Sequence, residues 1–345
     1  ENFHNHKIQN MDLISKYRSE LMGIAIIWVI LYHLILTQNS PYSFGFLDSI
    51  LGNGYGGVDI FLYLSGFGLV RSWNKCLQQN HSHAINLFYK RRILRLAPTY
   101  IFICILYSIY QNNWNTLFYS ISTIGHWINH NRYDWYVPTI LLLYLSFPIL
   151  YKLIQKYKFR FLIISFIIIL LVTISFNYLS ITNDLRMLSI SRIPIFILGI
   201  YHGICPISYF NRSYYFRNTI LMFIGLVLLF SLKHSPLRIL FCGGLYQLTF
   251  LFITPGLCHI ISWTLNTIKL PILNRILSLL GILSYELYLI HLKLIENIVK
   301  LPFFGEINHW VYFTILIILI ITISYMTNKL MHIILNIISK IKFSI

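Results

Sequence analysis

The chemistry open to this chain rests on a few ionisable side chains set in apolar sequence. His33 closes the run Gly23-Ile-Ala-Ile-Ile-Trp-Val-Ile-Leu-Tyr-His33. A neutral imidazole, with an ordinary pKa of about 6.5, is suited to take a proton from a hydroxyl. Asp59 follows a glycine cluster (Gly52, Gly54, Gly56, Gly57), Arg192 precedes Ile193-Pro194, and Glu286 and His291 share one apolar stretch. A carboxylate beside an imidazole orients it or stabilises its cation. A second kind of chemistry is carried by Lys90-Arg91-Arg92-Ile93-Leu94-Arg95. Arg92 and Arg95 are three apart and so share a helix face, and paired guanidinium groups suit phosphates.

Each of these residues also has a purely structural reading. His33 could be a packed histidine, Asp59 a helix cap, Arg192 a snorkelling arginine, Glu286 one half of a structural pair, and the arginine cluster a topology anchor. Lys293, near the end of its stretch, reads as a residue that snorkels to the outer surface. The cysteines Cys76, Cys104, Cys205, Cys242 and Cys258 are scattered and read as packing residues; no pair has metal-ligand spacing, and no metal is expected.

The elements that position these groups follow from composition. The chain is 57% hydrophobic and 11% charged over 345 residues, where soluble domains carry about 25% charged residues. So apolar a chain must be solvated by lipid, and its 17% aromatic content suits interfacial belts. The net charge of +17 does not indicate nucleic acid, because the basic residues lie between apolar stretches rather than on one soluble face. About 20 apolar residues cross a bilayer core. On that basis the sequence predicts an all-α polytopic membrane protein with about ten spans, near 20–37, 55–71, 95–110, 135–154, 161–178, 188–205, 218–232, 239–263, 276–298 and 309–334. The segment 114–128 reads as interfacial or re-entrant. Most lysines and arginines fall in one set of alternate loops, which predicts both termini in the cytoplasm. The expected organisation is a cytoplasmic segment 1–19, one transmembrane domain 20–334 and a cytoplasmic tail 335–345. No signal peptide is evident, and the start at Glu1 rather than Met reads as a fragment or trimmed chain.

Helix rise converts sequence into depth. From Glu20 to His33 is about 20 Å, and from Ile276 to His291 about 22 Å. Asp59 and Arg192 each lie about one turn inside their spans from the outer side. Four ionisable residues on four helices are therefore expected at one level in the outer half of the membrane, where an ionisable group suggests function. The arginine cluster is expected at the opposite, cytoplasmic side.

These motifs resemble the acyltransferase-3 family of polytopic membrane O-acyltransferases. Gly23 to His33 is similar to its first helix. Gly56-Gly-Val-Asp-Ile-Phe-Leu-Tyr-Leu-Ser-Gly-Phe67 is the most specific match, to its second. Phe88 to Tyr100 resembles its Arg-x-x-Arg segment. Trp135-Tyr136-Val137-Pro138 with Tyr144 and Pro148, Arg192 with Pro194 and Gly199, and Gly281 with Ser284-Tyr285-Glu286-Leu287-Tyr288-Leu289-Ile290-His291 follow in the family's order. One departure is clear: Met22 stands where the family commonly has an arginine, and Arg18, one turn earlier on the same face, is placed to substitute.

The resemblance implies an O-acyltransferase of a bacterial cytoplasmic membrane, with no bound cofactor and acetyl-CoA or another acyl-CoA as co-substrate. The expected acceptor is a hydroxyl of a surface polysaccharide or its lipid-linked precursor, beside membrane lipid. His33 is then expected to be catalytic with Asp59 orienting its ring, and Arg92 and Arg95 with Arg91 to bind the donor. Trp135, Tyr136, Arg192, Tyr285, Glu286 and His291 are expected on the acceptor side, Trp135 offering a stacking face. General-base attack and a transient acyl-His33 both remain open. The rival is a transporter or flippase for a lipid-linked sugar, which also uses midplane charges and glycine-broken helices but calls for an internal repeat that the sequence lacks.

Overall fold

In lipid every backbone N–H and C=O needs an internal partner, so long apolar runs must coil into helices. The computed structural model describes residues 13–36, 42–79, 82–129, 135–178, 185–205, 211–234, 246–298 and 308–343. Among these residues the regular structure is helical throughout. The helices are α1 (Arg18–Leu36), α2 (Gly56–Gln79), α3 (Ala84–Tyr110), α4 (Asn115–Ile121), α5 (Ile124–Asn129), α6 (Tyr136–Tyr157) and α7 (Phe159–Tyr178). They continue with α8 (Leu185–Ile190), α9 (Ile193–Ile204), α10 (Arg212–His234), α11 (Tyr246–Ile268), α12 (Pro271–Ile282), α13 (Ser284–Ile298) and α14 (His309–Phe343).

Among the described residues eight segments are long and apolar enough to cross a membrane, α8 and α9 counting as one. The pair α12 and α13, bent by 75° at Leu283, makes up to nine. Helix α2 occupies the expected second span. It is long enough at 24 residues, but Asp59, Arg71 and its glycines lower its apolarity. It tolerates them because it sits at the centre of the bundle, against α1, α9 and α11, with most of its residues buried. The expected span 239–263 begins outside the described residues and is helical from Tyr246, and position 37 of the first span lies outside them too. The segment expected to be interfacial forms the short helices α4 and α5.

The surface is that of a multi-pass membrane protein. Ile163, Ile164, Ile167, Ile168 and Leu171 of α7 and Phe223, Val227 and Phe230 of α10 are exposed, whereas Asp59, Arg192, His202, Glu286 and His291 are buried. Exposed apolar faces of this extent suit lipid.

Hydrophobicity does not press helices together in lipid, so small residues that admit close backbone contact set the packing. A Cβ on Gly66 of α2 would lie 2.3 Å from the Phe196 carbonyl of α9, and one on Gly199 would lie 2.2 Å from the Tyr63 carbonyl. Between α1 and α12, a Cβ on Gly23 would lie 2.0 Å from the Leu277 carbonyl, and one on Gly281 1.8 Å from that of Ser19. The second contact pins α12 along α1, so the bend at Leu283 aims α13 at the far end of α1. Gly281→Ala and Gly199→Ala are each expected to lower stability by about 1–3 kcal/mol through overpacking. The measurement is the thermal unfolding midpoint in detergent, and wild-type midpoints would refute this account of the packing.

Candidate active site

Near the C-terminal end of α1 a cavity of about 150 Å³ is lined by His33, Trp135, Arg192 and His291, together with Tyr32, Tyr55, Tyr288 and Lys293. The expected common level is thus an actual meeting of side chains. The two histidines touch: His291 Nε2 is 3.3 Å from His33 Nδ1, with ring centroids 5.0 Å apart. His291 Nδ1 lies 2.9 Å from the Leu287 carbonyl and 2.8 Å from that of Tyr288. Carbonyls only accept, so Nδ1 carries the proton and Nε2 of neutral His291 is an acceptor. His33 Nδ1, 2.9 Å from the Val29 carbonyl, must then be the N–H that faces both the carbonyl and His291. The hydrogen-bond pattern therefore leaves the lone pair of neutral His33 on Nε2, the tautomer of a base.

Asp59 does not orient this imidazole. Its Oδ2 accepts from Arg192 Nε at 3.3 Å, with both side chains 1% exposed. A buried guanidinium is costly unless paired, and Arg192 claims the carboxylate. Arg192, in the break between α8 and α9, also donates to the carbonyls of Leu188 (3.0 Å) and Tyr55 (3.4 Å), and lies 4.9 Å from the Trp135 ring. Trp135 is held from behind: its carbonyl accepts from Thr139, whose hydroxyl lies 2.6 Å from that of Ser189, and Ser189 meets His126 Nε2 at 2.9 Å.

A second, narrower pocket of about 40 Å³ is lined by Arg18, Met22, Ser65, Arg95, Tyr136, Tyr144 and Tyr285. Arg18 donates to the Leu64 carbonyl at 3.2 Å and feels the charges of Arg95, Arg92 and Arg71. Arg92 lies over Phe88 and Tyr144, 5.3 and 5.9 Å from their centroids, with a buried Nε that has no hydrogen-bond partner among the described residues. Arg18 and Arg95 thus share this pocket, with Arg92 and Arg71 near enough to act on the charge of Arg18, and Arg18 does reach the wall that Met22 leaves uncharged. Arg91 departs from this group, bonding Gln79 and Cys76 on α2, because adjacent helical residues point about 100° apart.

Tyr288 lines both pockets and packs on Tyr136 with centroids 4.7 Å apart. Tyr285, Tyr288 and His291 are spaced by three on α13 and so form one row down a helix face. The row runs from the arginine pocket to the histidine cavity. Tyr136 and Tyr285, expected at the acceptor, are thus on the arginine side, and the Tyr285 hydroxyl donates to the Leu96 carbonyl at 3.1 Å. Glu286 lines neither pocket; it turns to α14, where Asn328 donates to it at 3.0 Å. Lys293, expected to snorkel outward, lies 3.7 Å from the Tyr107 ring centroid and borders the cavity. Among the described residues no three His, Cys, Asp or Glu side chains could share a metal ion.

Removing Asp59 would strand a buried cation, at a cost of about 3–5 kcal/mol. Asp59→Ala is expected to lose folded protein on detergent size exclusion. Asp59→Leu combined with Arg192→Met is expected to recover much of it. A double variant no better folded than Asp59→Ala would contradict the pairing.

A profile described as an acyltransferase domain, that of the acyltransferase-3 family, matches residues 21–329. The chain is 28% identical over 170 residues, 40% of its length, to "Regulator of hypoxia-inducible factor 1" of Caenorhabditis elegans. It is 24% identical over 337 residues, 85% of its length, to "Putative O-acetyltransferase SACOL0978" of Staphylococcus aureus (strain COL). The matched regions span 34% and 52% of those relatives, and no solved structure matches. With a profile covering nearly the whole bundle and every residue of the two pockets except Arg18, the chain belongs to the acyltransferase-3 family.

Proposed function

We propose that this chain is the transmembrane part of an O-acyltransferase, moving an acyl group, most simply acetyl, from acyl-CoA to a sugar hydroxyl of a surface polysaccharide or its lipid-linked precursor. The observation that carries this reading is the paired arrangement of the pockets. A cationic pocket lies about 22 Å down α1 from a histidine held in the tautomer of a base, and the row Tyr285, Tyr288 and His291 joins them. Family membership and the named O-acetyltransferase relatives support the same reaction class.

Arg18, Arg92 and Arg95 bind the donor's phosphates, which suit several guanidinium groups at once. The pantetheine arm passes Tyr136 and Tyr288. His33 Nε2 takes the proton of the acceptor hydroxyl as its oxygen attacks the thioester carbonyl. The tetrahedral adduct collapses, the carbon–sulfur bond breaks, and the thiolate takes the proton back from imidazolium. His291 accepts the Nδ1–H of His33 and steadies the transient cation. Trp135 and Tyr55 offer aromatic faces to the sugar, and Arg192 a guanidinium. Counting α2 and the bent pair as spans gives ten crossings, with both termini and the arginine pocket on the cytoplasmic side of a bacterial membrane, where acyl-CoA is available.

His33→Ala, shown to be folded and inserted, is expected to lower glycan acylation at least about 10²-fold. Mass spectrometry of cell-surface glycan reads this as loss of the acyl mass, and normal acylation would refute the mechanism. Arg92→Ala with Arg95→Ala is expected to raise the donor KM by about tenfold or more, each lost charge-assisted bond being worth about 1.5–3 kcal/mol. An unchanged KM would make the pair a topology anchor.

A further inference from the structure

A larger crevice than either of these pockets lies away from this site. About 630 Å³ opens between α7, α9, α10 and α11. Leu162, Ile163 and Phe166 of α7 face Leu251, Phe252 and Pro255 of α11 across it. Apolar walls of this extent in a bilayer do not stay empty, because unfilled space forfeits dispersion contacts. Hydrocarbon is the filling at hand.

Polarity is confined to one end, where Arg217, His202 and Asn218 line the crevice. His202 is held there by the hydroxyls of Tyr63 (2.8 Å) and Tyr214 (3.3 Å). Phe159 lines the same region and packs at a tilt against Tyr201, with ring centroids 5.8 Å apart. It is flanked in sequence by Lys156, Lys158 and Arg160, while Arg212 opens α10 five residues before Arg217; all five basic residues are exposed. The sequence offers this rim almost no carboxylates: between Trp135 and Tyr285 the only acidic residue is Asp184, which follows the other end of α7. An apolar slot with a basic rim has the form of a lipid's tails and anionic head, and basic pockets between membrane helices bind such heads.

We propose that this crevice binds an anionic phospholipid, its phosphate at Arg217 and Arg160 and its acyl chains between α7 and α11. The site is separate from acyl transfer, and its test does not use that activity. In the orientation proposed above the rim meets the cytoplasmic leaflet, where anionic lipids concentrate.

The experiment is native mass spectrometry of the purified full chain loaded with phosphatidylglycerol or phosphatidylcholine of identical acyl chains. Wild-type protein is expected to retain phosphatidylglycerol preferentially. Arg160→Gln with Arg217→Gln is expected to weaken that retention about thirtyfold at low salt, since each basic residue near a lipid head contributes about 1 kcal/mol. Ile163→Trp, which fills the slot and spares the rim, is expected to abolish retention, and inorganic phosphate is expected not to displace the lipid. Equal retention of phosphatidylcholine by wild-type protein would overturn the proposal whether or not the variants fold. So would undiminished retention in either folded variant, or displacement by inorganic phosphate alone.

Discussion

A charge inside a membrane protein must be paired within the protein, and the ion pair of Arg192 with Asp59 meets that demand here. It joins the first turn of α2 to the break between α8 and α9. From that break Arg192 reaches the Tyr55 and Leu188 carbonyls and the Trp135 ring, so one guanidinium gathers α2, α6 and α8 around one end of the bundle. The cavity is the space these groups leave beside His33. Its polar walls exist because each cation has been given neighbours, and its aromatic walls because tyrosine and tryptophan can border polar space while packing against helices.

The second constraint is close backbone contact. Gly23 against Gly281 and Gly66 against Gly199 leave no room for side chains between α1 and α12 or between α2 and α9. With α12 fixed along α1, the bend at Leu283 decides where α13 goes, and so brings His291 to His33. The two carbonyls at His291 Nδ1 then set the tautomer of both rings. Packing, helix direction and proton position form one chain of causes.

Much of this was legible in the chain. Rise per residue is constant along a helix, so depth could be read from numbering, and His33, Asp59, Arg192 and His291 do meet at one end. Azimuth could not be read as well. Trp135 and Tyr136 are neighbours in sequence yet line different pockets, and Arg91 leaves the direction of Arg92 and Arg95. Lys293 turns inward to Tyr107 rather than out to the interface. Tyr55 carried no signal, being one of 25 tyrosines; Tyr32 and Tyr288 stood inside the motifs without being singled out, and Tyr285, Tyr288 and His291 form a meaningful row only once α13 is placed against α6.

The sequence by itself determined that this is an all-helical membrane chain, which motifs it carries, and at what level along their helices its ionisable groups lie, because lipid solvation and helix rise are local rules. It also put Arg18 on the face of Met22, since residues four apart share a face, and the two do line one pocket. Only the tertiary structure decided the partners: His291 rather than Asp59 for His33, Arg192 for Asp59, and Asn328 for Glu286. Pairing depends on how each helix is rotated and where it is bent, and both are set by contacts between residues far apart in the chain.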